Sequence, residues 1–301
     1  MAARAPFPAY VDNSMRGEFV SCPHSFYNKY ILRRTPAIPS IHLHAGAAFA
    51  KGLEVARLCY YDHGFSEDEA VTEGVLALVD SYNPYVNNPD DVKTVDRMAK
   101  ALIYYFAVWS LRTDFIKPYK INGKSMVEVG FSIPLDVKHP ETGEPIIYCG
   151  RFDMLGERDG HIWVDDEKTA SQLGPTWGRK FDLSAQFSGY VFGAQGFGLP
   201  IAGVNIRGVS ILKTTFGHAQ HILYRPEHLL RRWQYQLLRD IDRMIECWKA
   251  NYWDYNFNHS CGMFSGCDYL KVCQVHPAEE LNWLNGPDYV DNTHNPLERH
   301  K

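Results

Sequence analysis

A predicted β-hairpin with acidic residues on both strands constrains the fold of this chain most. Two apolar, aromatic runs, IIYCGRFDML and HIWV, are separated by Arg-Asp-Gly at 158–160, a sequence typical of a tight turn. Side chains alternate between the two faces of a strand, so Asp166 and Lys168 point one way and Glu167 points the other. Asp153, on the neighbouring strand, can join the first two. The hairpin therefore brings two carboxylates and an ammonium group together.

Paired carboxylates beside a lysine are typical of metal-dependent phosphodiester hydrolysis. Mg²⁺ takes oxygen ligands and keeps several of its waters, and the metal neutralises charge on the phosphate. We therefore expect Asp153 and Asp166 to hold Mg²⁺ or Mn²⁺, and Lys168 to orient the attacking water and help to deprotonate it. For Asp166 and Lys168 taken alone, a surface ion pair at a solvated strand end is the alternative.

These residues resemble the motifs of the PD-(D/E)xK nuclease superfamily, in its branch of RecB-like and CRISPR-associated exonucleases. Asp153 corresponds to the acidic residue of motif II, and residues 166–168 (Asp-Glu-Lys) correspond to motif III. Gln186 and Tyr190 match the Q-x-x-x-Y of the helix that follows. The resemblance covers most of the chain. It implies an α/β fold with a restriction-endonuclease-like core, a mixed central sheet flanked by helices.

The resemblance also implies roles for residues outside the two aspartates and the lysine. The main-chain carbonyl of Glu167 would be a further metal ligand. Glu128, in VEVGFSIPL, resembles the glutamate that opens the sheet in many of these nucleases. Gln186 and Tyr190, one helical turn apart, would contact the DNA backbone or brace the lysine.

One position departs from the family pattern. RecB-like nucleases usually carry a histidine on the second helix, in a context resembling G-x-x-x-H-x-x-L-E, and here the corresponding residue of GAAFAKGLE is Ala50. Glu54 lies one turn further on the same face and is the expected replacement ligand. His42 and His44, just upstream, are alternatives, as is a water molecule.

Seven cysteines, an odd number, argue against a complete disulfide framework. With no signal peptide evident, we expect a reducing compartment, the cytoplasm of a bacterial, archaeal or phage-infected cell. Cys59, Cys149 and Cys247 lie in apolar surroundings and are interpreted as small core residues.

The other four cysteines resemble the cysteines that bind an iron–sulfur cluster in related nucleases. Cys261, Cys267 and Cys273 form C-x5-C-x5-C near the C-terminus, and Cys22 lies roughly 240 residues earlier. In CRISPR-associated and AddB-like nucleases, one N-terminal and three C-terminal cysteines bind a 4Fe–4S cluster, which requires four thiolates. Zinc held by the same thiolates and buried, unligated thiols are the alternatives.

Composition favours one large globular domain. The 301 residues are 45% hydrophobic and 14% aromatic, and no linker or low-complexity run divides them. No stretch is apolar enough to span a membrane, so we expect a soluble protein. The net charge of −4 requires nucleic-acid binding to come from local basic clusters. The expected layout is a single nuclease domain, 1–301, with a mainly helical lobe at 1–120, the nuclease core at 121–225 and the C-terminal helix and cysteine segment at 226–301.

Hydrophobic periodicity predicts the order of the elements. The predicted helices are 14–33 (which would carry Cys22), 45–62, 66–81, one from 90 with acidic residues in its first turn, 179–195, and one from 225. The predicted strands are 126–136, 146–156, 161–168, 203–215 and 219–224.

The predicted function is metal-dependent exonucleolytic hydrolysis of DNA, single-stranded by preference, in recombination, repair or CRISPR adaptation. A catalytically weak or inactive DNA-binding or adaptor protein with a structural iron–sulfur or zinc site is the alternative. Besides DNA, the expected partners are a helicase, a recombinase or a CRISPR adaptation protein, and no membrane. Arg179, Lys180 and Lys213 are weaker candidates for backbone contacts. Trp177 could stack a base if exposed, but is better interpreted as a core aromatic.

Overall fold

The computed structural model describes residues 4–82, 92–257, 259–262 and 266–297. The helices are α1 Asn13–Ser21, α2 Pro23–Phe26, α3 Ile41–Tyr61, α4 Glu67–Tyr82, α5 Val95–Val108, α6 Ala185–Gly196, α7 Glu227–Ala250, α8 Leu270–Cys273 and α9 Glu280–Leu284. The strands are β1 Tyr10–Val11, β2 Arg34–Pro36, β3 Lys117–Pro118, β4 Lys120–Ile121, β5 Lys124–Ser125, β6 Val127–Lys138, β7 Pro145–Arg158, β8 His161–Ala170, β9 Ile201–Ile211, β10 Phe216–Leu223 and β11 Tyr289–Asp291.

The chain folds into two compact units, each made of separate segments. The terminal unit comprises Met1–Ile38, Phe131–Gly150 and Glu227–Lys301, and the central unit comprises Pro39–Gly130 and Arg151–Pro226. The layout predicted from the sequence, one domain with three consecutive parts, stays a prediction.

The sheet of the central unit is mixed, as the sequence predicts. The second part of β7 pairs antiparallel with β8, β8 pairs parallel with β9, and β9 pairs antiparallel with β10. The predicted tight turn joins β7 and β8: Asp159 and Gly160 have φ values of 51° and 74°, which a two-residue hairpin loop requires. The predicted α/β fold with a mixed central sheet is therefore confirmed.

Three helices of the central unit form a layer with their own apolar core. α3 and α4 approach so closely that a Cβ added at Gly74 would lie 2.6 Å from the carbonyl oxygen of Gly52. α5 begins after Thr94, whose hydroxyl accepts a hydrogen bond from the N–H of Arg97 at 3.3 Å. This layer packs against one face of the sheet, because Val209 and Ile211 of β9 belong to its core.

Strand β8 lies between this layer and α6. The Nζ of Lys168 is 5.8 Å from the ring of Phe187 on α6, whereas Glu167 contacts Arg57 of α3 and Tyr105 of α5. The two faces of β8 therefore meet different helices, and both faces are buried. This arrangement explains why its polar residues need partners on each side.

In the terminal unit, the predicted helix 14–33 is interrupted, and the expectation that it carries Cys22 is wrong. Cys22 has an extended backbone (φ −160°) between α1 and α2. Pro23 is the physical reason, since proline disfavours helical geometry at the residue before it. The N-terminal and C-terminal segments of this unit meet through the antiparallel pair β2 and β11.

Most other predicted boundaries shift by a few residues. The helix predicted at 179–195 begins at Ala185, after a short 3₁₀ turn at Gly178–Phe181. The helix predicted from 90 begins at Val95, and the acidic residues expected in its first turn, at 90 and 91, lie outside the described residues. Among the described residues, no helix is both long and apolar enough to cross a membrane.

Candidate functional site

The β7–β8 hairpin brings the three predicted reactive groups together. Asp166 is fully buried, and the Nζ of Lys168 lies 2.9 Å from its Oδ1 and 2.7 Å from its Oδ2. The N–H of Glu167 donates to the Oδ2 of Asp153 at 3.0 Å, which fixes that carboxylate beside the strand end. Alternation along β8 and the hairpin register produce this arrangement.

Two residues of α6 extend the site. Gln186 donates from its Nε2 to the hydroxyl of Tyr190 at 3.0 Å and reaches the Oδ1 of Asp166 at 3.5 Å. Burial, together with Asp153 and Asp166, raises the pKa of Tyr190 well above its usual value, so the phenol keeps its proton. The contact made by Gln186 is thus with the aspartate rather than with the lysine.

Glu128 and Glu54 add carboxylates to the same region. The backbone of Glu128 is left-handed (φ 51°), an unusual conformation for a residue of a strand. Burial, Asp153 and Glu54 raise the pKa of Glu128 to about 8, although Arg151 at 3.9 Å opposes the shift. Glu54 therefore lies close enough to interact with Glu128.

The site carries more negative charge than its own cations neutralise. Burial and the neighbouring Asp153 raise the pKa of Asp166 well above its usual value, although Lys168 opposes this shift. Burial also raises the pKa of Asp153. Burial alone would lower the pKa of Lys168, but Asp166 and Asp153 raise it overall. Lys168 is consequently an ammonium group that donates hydrogen bonds.

The chemistry of this donor set fits a hard divalent cation. Carboxylates that repel one another in a buried site are the oxygen ligands that Mg²⁺ and Mn²⁺ prefer. As the side chains stand, no three His, Cys, Asp or Glu residues in the described part of the chain form a complete metal site, and the ammonium of Lys168 contacts both oxygens of Asp166. Ala50 supplies no ligand, and the ring of His44 lies 3.3 Å from the carbonyl oxygen of Tyr82.

The opposite face of β8 carries a buried charge network, which we call the arginine network. Arg57 contacts the carboxylate of Glu167, and its Nη2 donates to the hydroxyl of Tyr105 at 2.9 Å. The same hydroxyl donates to the Oε1 of Glu167 at 3.0 Å. Burial would raise the pKa of Glu167, but Arg57 holds it below its usual value. The network anchors Glu167, whose N–H binds Asp153.

A second arginine completes the network. Arg207 donates from Nη1 and Nη2 to the carboxylate of Asp114 at 2.5 and 2.9 Å, and from Nη1 to the hydroxyl of Tyr105 at 3.2 Å. Asn205 binds Asp165, whose pKa burial raises to about 7.

Apart from Glu167, the members of this network are not predicted from the sequence. One signal was present: Asp165 and Glu167 alternate with Asp166 and Lys168 on a strand with apolar neighbours. Such a strand is buried on both faces, so the second polar face also requires charged partners.

The four cysteines of the predicted cluster all lie in the terminal unit, but as the side chains stand they form no metal site among the described residues. The N–H of Cys267 donates to the carbonyl oxygen of Cys261 at 2.9 Å. Burial raises the pKa of Cys273 to about 12, with contributions from Cys267, Cys22 and Cys261. All seven cysteines lie in the described part of the chain, and all are free thiols. Cys149 is buried, as predicted for a core residue, whereas Cys59 and Cys247, predicted to be core residues too, are only partly buried.

Comparison with known proteins identifies the family. Residues 17–274 match the family model of the PD-(D/E)XK nuclease superfamily, and the chain belongs to this superfamily. No curated protein matches the chain significantly.

Two solved structures align with this fold. A protein of Eubacterium rectale described as a candidate exonuclease has a TM-score of 0.53 and 14% identity, over 89% of each chain, which shows similarity of fold alone. A second structure, SSO0001, has a TM-score of 0.33 and 13% identity, over 79% of this chain and 88% of that one.

Proposed function

We propose that this protein is a metal-dependent nuclease that hydrolyses phosphodiester bonds of DNA, and that it acts as an exonuclease on single strands. The observation that carries the proposal is the trio of Asp153, Asp166 and Lys168 on the hairpin, in which the fully buried Asp166 contacts Lys168. Membership of the nuclease superfamily supports it. The Eubacterium rectale relative supports the exonuclease assignment by fold analogy alone.

Asp153 and Asp166 would hold Mg²⁺ or Mn²⁺, with the Glu167 carbonyl, Glu128 and Glu54 as further oxygen ligands. When bound, such an ion supplies charge neutralisation at the phosphate and lowers the pKa of a bound water. Glu54 would supply the ligand that Ala50 cannot.

The remaining groups position these ligands and the substrate. As an ammonium group, Lys168 orients the attacking water by donating hydrogen bonds to it and stabilises charge that develops on the phosphate. Gln186 holds the Asp166 carboxylate from the α6 side, and Tyr190 holds Gln186. The N–H of Glu167 holds Asp153 from the strand.

The four cysteines are proposed to bind a 4Fe–4S cluster, with zinc as the other candidate. Support comes from the electrostatic interaction of Cys273 with Cys267, Cys22 and Cys261. A metal that binds these sulfurs as thiolates would also offset the raised pKa values of Cys267 and Cys273. Absorbance near 400 nm with stoichiometric iron would support the cluster, and a colourless protein with stoichiometric zinc would refute it.

The experiment that tests the nuclease proposal compares single-residue variants on labelled single-stranded DNA with Mn²⁺. We expect the wild-type protein to degrade the strand, and Asp166→Asn and Lys168→Ala to lose activity by at least about a hundredfold. Arg112→Ala is the control, because this side chain is 77% exposed.

Circular dichroism must show that each variant remains folded. Full activity in both Asp166→Asn and Lys168→Ala would overturn the assignment. Tight DNA binding without cleavage across several divalent ions would instead favour a non-hydrolytic DNA-binding protein.

A further inference from the structure

Lys180 is an exposed lysine on the segment that joins β8 to α6. It lies in the 3₁₀ turn that precedes α6. Lys180 forms no ion pair with a described residue, and the acidic residue nearest to it in sequence, Asp182, is engaged elsewhere: its Oδ1 lies 2.8 Å from the Nε2 of His221. Among the described residues, the positive charge of Lys180 is therefore not neutralised by direct contact.

Two aromatic rings hold the ammonium group of Lys180. Its Nζ is 4.8 Å from the ring of Phe181 and 5.6 Å from the ring of Trp177. A cation is attracted to an aromatic ring within about 6 Å of the ring centre. Both rings are buried, Trp177 as predicted for a core aromatic, so they form a fixed support. The ammonium group of Lys180 is thus exposed and yet held in place.

The backbone around Lys180 is also held in place. Directly after Lys180, the carbonyl oxygen of Phe181 accepts a hydrogen bond from the Nη2 of Arg225 at 3.0 Å. At the start of the turn, the ring of His221 on β10 packs on Gly178, where an added Cβ would lie 2.4 Å from that ring. These contacts order the turn before a substrate binds, which reduces the entropy lost on binding.

The ammonium groups of Lys180 and Lys168 lie against neighbouring rings. The Nζ of Lys168 is 5.8 Å from the ring of Phe187, and this ring is 5.5 Å from the ring of Phe181. Burial, together with the charge of Lys168, lowers the pKa of Lys180, so the two charges are close enough to repel each other. Both side chains reach solvent, because that of Lys168 is 28% exposed and Lys180 is exposed. An anion can therefore approach each ammonium group directly from solvent.

We infer that Lys180 binds a phosphate of the DNA strand next to the phosphate that is cleaved at Asp166 and Lys168. A strand that places one phosphate at each lysine offsets the repulsion between the two cations. Lysine acts as a point charge, so the contact is with the backbone and holds the strand in register without reading its bases. This inference rests on the proposed nuclease function and adds a substrate-binding residue outside the metal site.

The test measures binding in an Asp166→Asn background with Mn²⁺ present. Fluorescence anisotropy gives the Kd for labelled single strands that each carry one uncharged methylphosphonate linkage. In the parent, this linkage should weaken binding about fivefold next to the cleaved phosphate, whose position the wild-type cleavage products define. Lys180→Gln removes the charge and keeps most of the stem that packs on the rings. This variant should lose the penalty at that one position and keep the penalties elsewhere.

The dependence of binding on salt provides a second measurement. In Lys180→Gln, the slope of log K against log salt concentration should become shallower by about 0.7, the value for one phosphate contact on a single strand. Lys180→Arg keeps the charge and should retain both the slope and the penalty. Lys100→Ala is the matched control, because Lys100 is a 58% exposed lysine of α5, the helix that contacts the opposite face of β8.

Kinetics in the wild-type background separate this inference from the nuclease proposal. Lys180→Gln should raise KM about fivefold with a smaller change in kcat, because its contact lies away from the bond that breaks. An unchanged salt slope or an unchanged methylphosphonate profile in Lys180→Gln would overturn the inference, as would an equal loss in Lys100→Ala. Absence of cleavage by the wild-type protein refutes the nuclease proposal, whereas cleavage with an unchanged KM in Lys180→Gln refutes only the role of Lys180.

Discussion

Replacement of Glu128 by glutamine should stabilise the metal-free protein, by an amount that grows with pH. Burial, Asp153 and Glu54 raise the pKa of Glu128 from 4.5 to about 8 in the folded state. In the unfolded chain this carboxyl ionises with its ordinary pKa. Folding must therefore either protonate Glu128 or bury its carboxylate near the negative charges of Asp153 and Glu54, and both cost free energy. Glutamine removes that requirement while it preserves the size of the side chain.

The magnitude follows from linkage. When folding raises the pKa of an acid, ionisation of that acid lowers the free energy of unfolding. This destabilisation is absent below the pKa of the acid in the unfolded state, and it grows with pH until the pH passes the pKa in the folded state. At 1.36 kcal/mol per pKa unit, the penalty reaches about 3 kcal/mol at pH 7 and about 4 to 5 kcal/mol above pH 8. Glu128→Gln should therefore match wild type near pH 4.5 and exceed it progressively towards pH 8.5.

Urea denaturation in EDTA at three pH values provides the assay. Glu157→Gln is the matched control, because Glu157 is an exposed glutamate on β7. Saturating Mn²⁺ should then stabilise the wild-type protein more than Glu128→Gln, since the carboxylate would be a ligand. An unfolding free energy of Glu128→Gln that equals that of wild type at pH 8.5, or differs from it by a pH-independent amount, would refute the reasoning.

Three further predictions concern the central and terminal units. Tyr105→Phe removes the hydroxyl at the centre of the arginine network. It should lower the free energy of unfolding in denaturant by about 1 to 3 kcal/mol and also lower the cleavage rate. Full activity with lowered stability would limit the network to a structural role. Asp62→Asn should lower the free energy of unfolding by about 1 to 2 kcal/mol at pH 7, because hydrogen bonds from Ser125 lower the pKa of Asp62 below its usual value despite burial. This difference from wild type should vanish as the pH falls below the pKa of Asp62 in the folded state. A difference that persists in acid would show that it does not come from the ionised carboxylate. Gly150→Ala should lower the melting temperature, because the new Cβ would lie 2.7 Å from a phenylalanine ring; an unchanged melting temperature would show that the ring can move.

The sequence predicts the hairpin and its reactive residues because their signals are local. The Asp-Gly turn determines the loop geometry, and alternation along β8 determines which side chains share a face. Asp153, Asp166 and Lys168 follow from these two rules. Gln186 and Tyr190 are predicted by the resemblance to the family's Q-x-x-x-Y motif, although which residue they contact depends on tertiary packing.

The arginine network could not be predicted in the same way. Arg57 and Tyr105 lie on two different helices, α3 and α5. Arg207 lies on β9, which is distant in sequence from both helices and pairs with β8 in the sheet. Their convergence depends on long-range packing that periodicity does not report. The interruption at Cys22 was locally encoded, because Pro23 follows it directly, but the regular spacing of aromatic residues hid this signal.

The left-handed backbone of Glu128 is a further feature without a sequence signal. Non-glycine residues adopt this conformation rarely, and the surrounding strand must impose it. The carboxylate of Glu128 interacts with Asp153 and Glu54.

The most direct test of the central claim is a time course of cleavage on single-stranded DNA labelled at its 5′ or its 3′ end, with Mn²⁺. The wild-type protein should shorten the strand progressively from one end, and Asp153→Asn should leave it intact while remaining folded. Cleavage at the wild-type rate by Asp153→Asn, or a wild-type protein that cleaves no DNA with any divalent ion, would contradict the account.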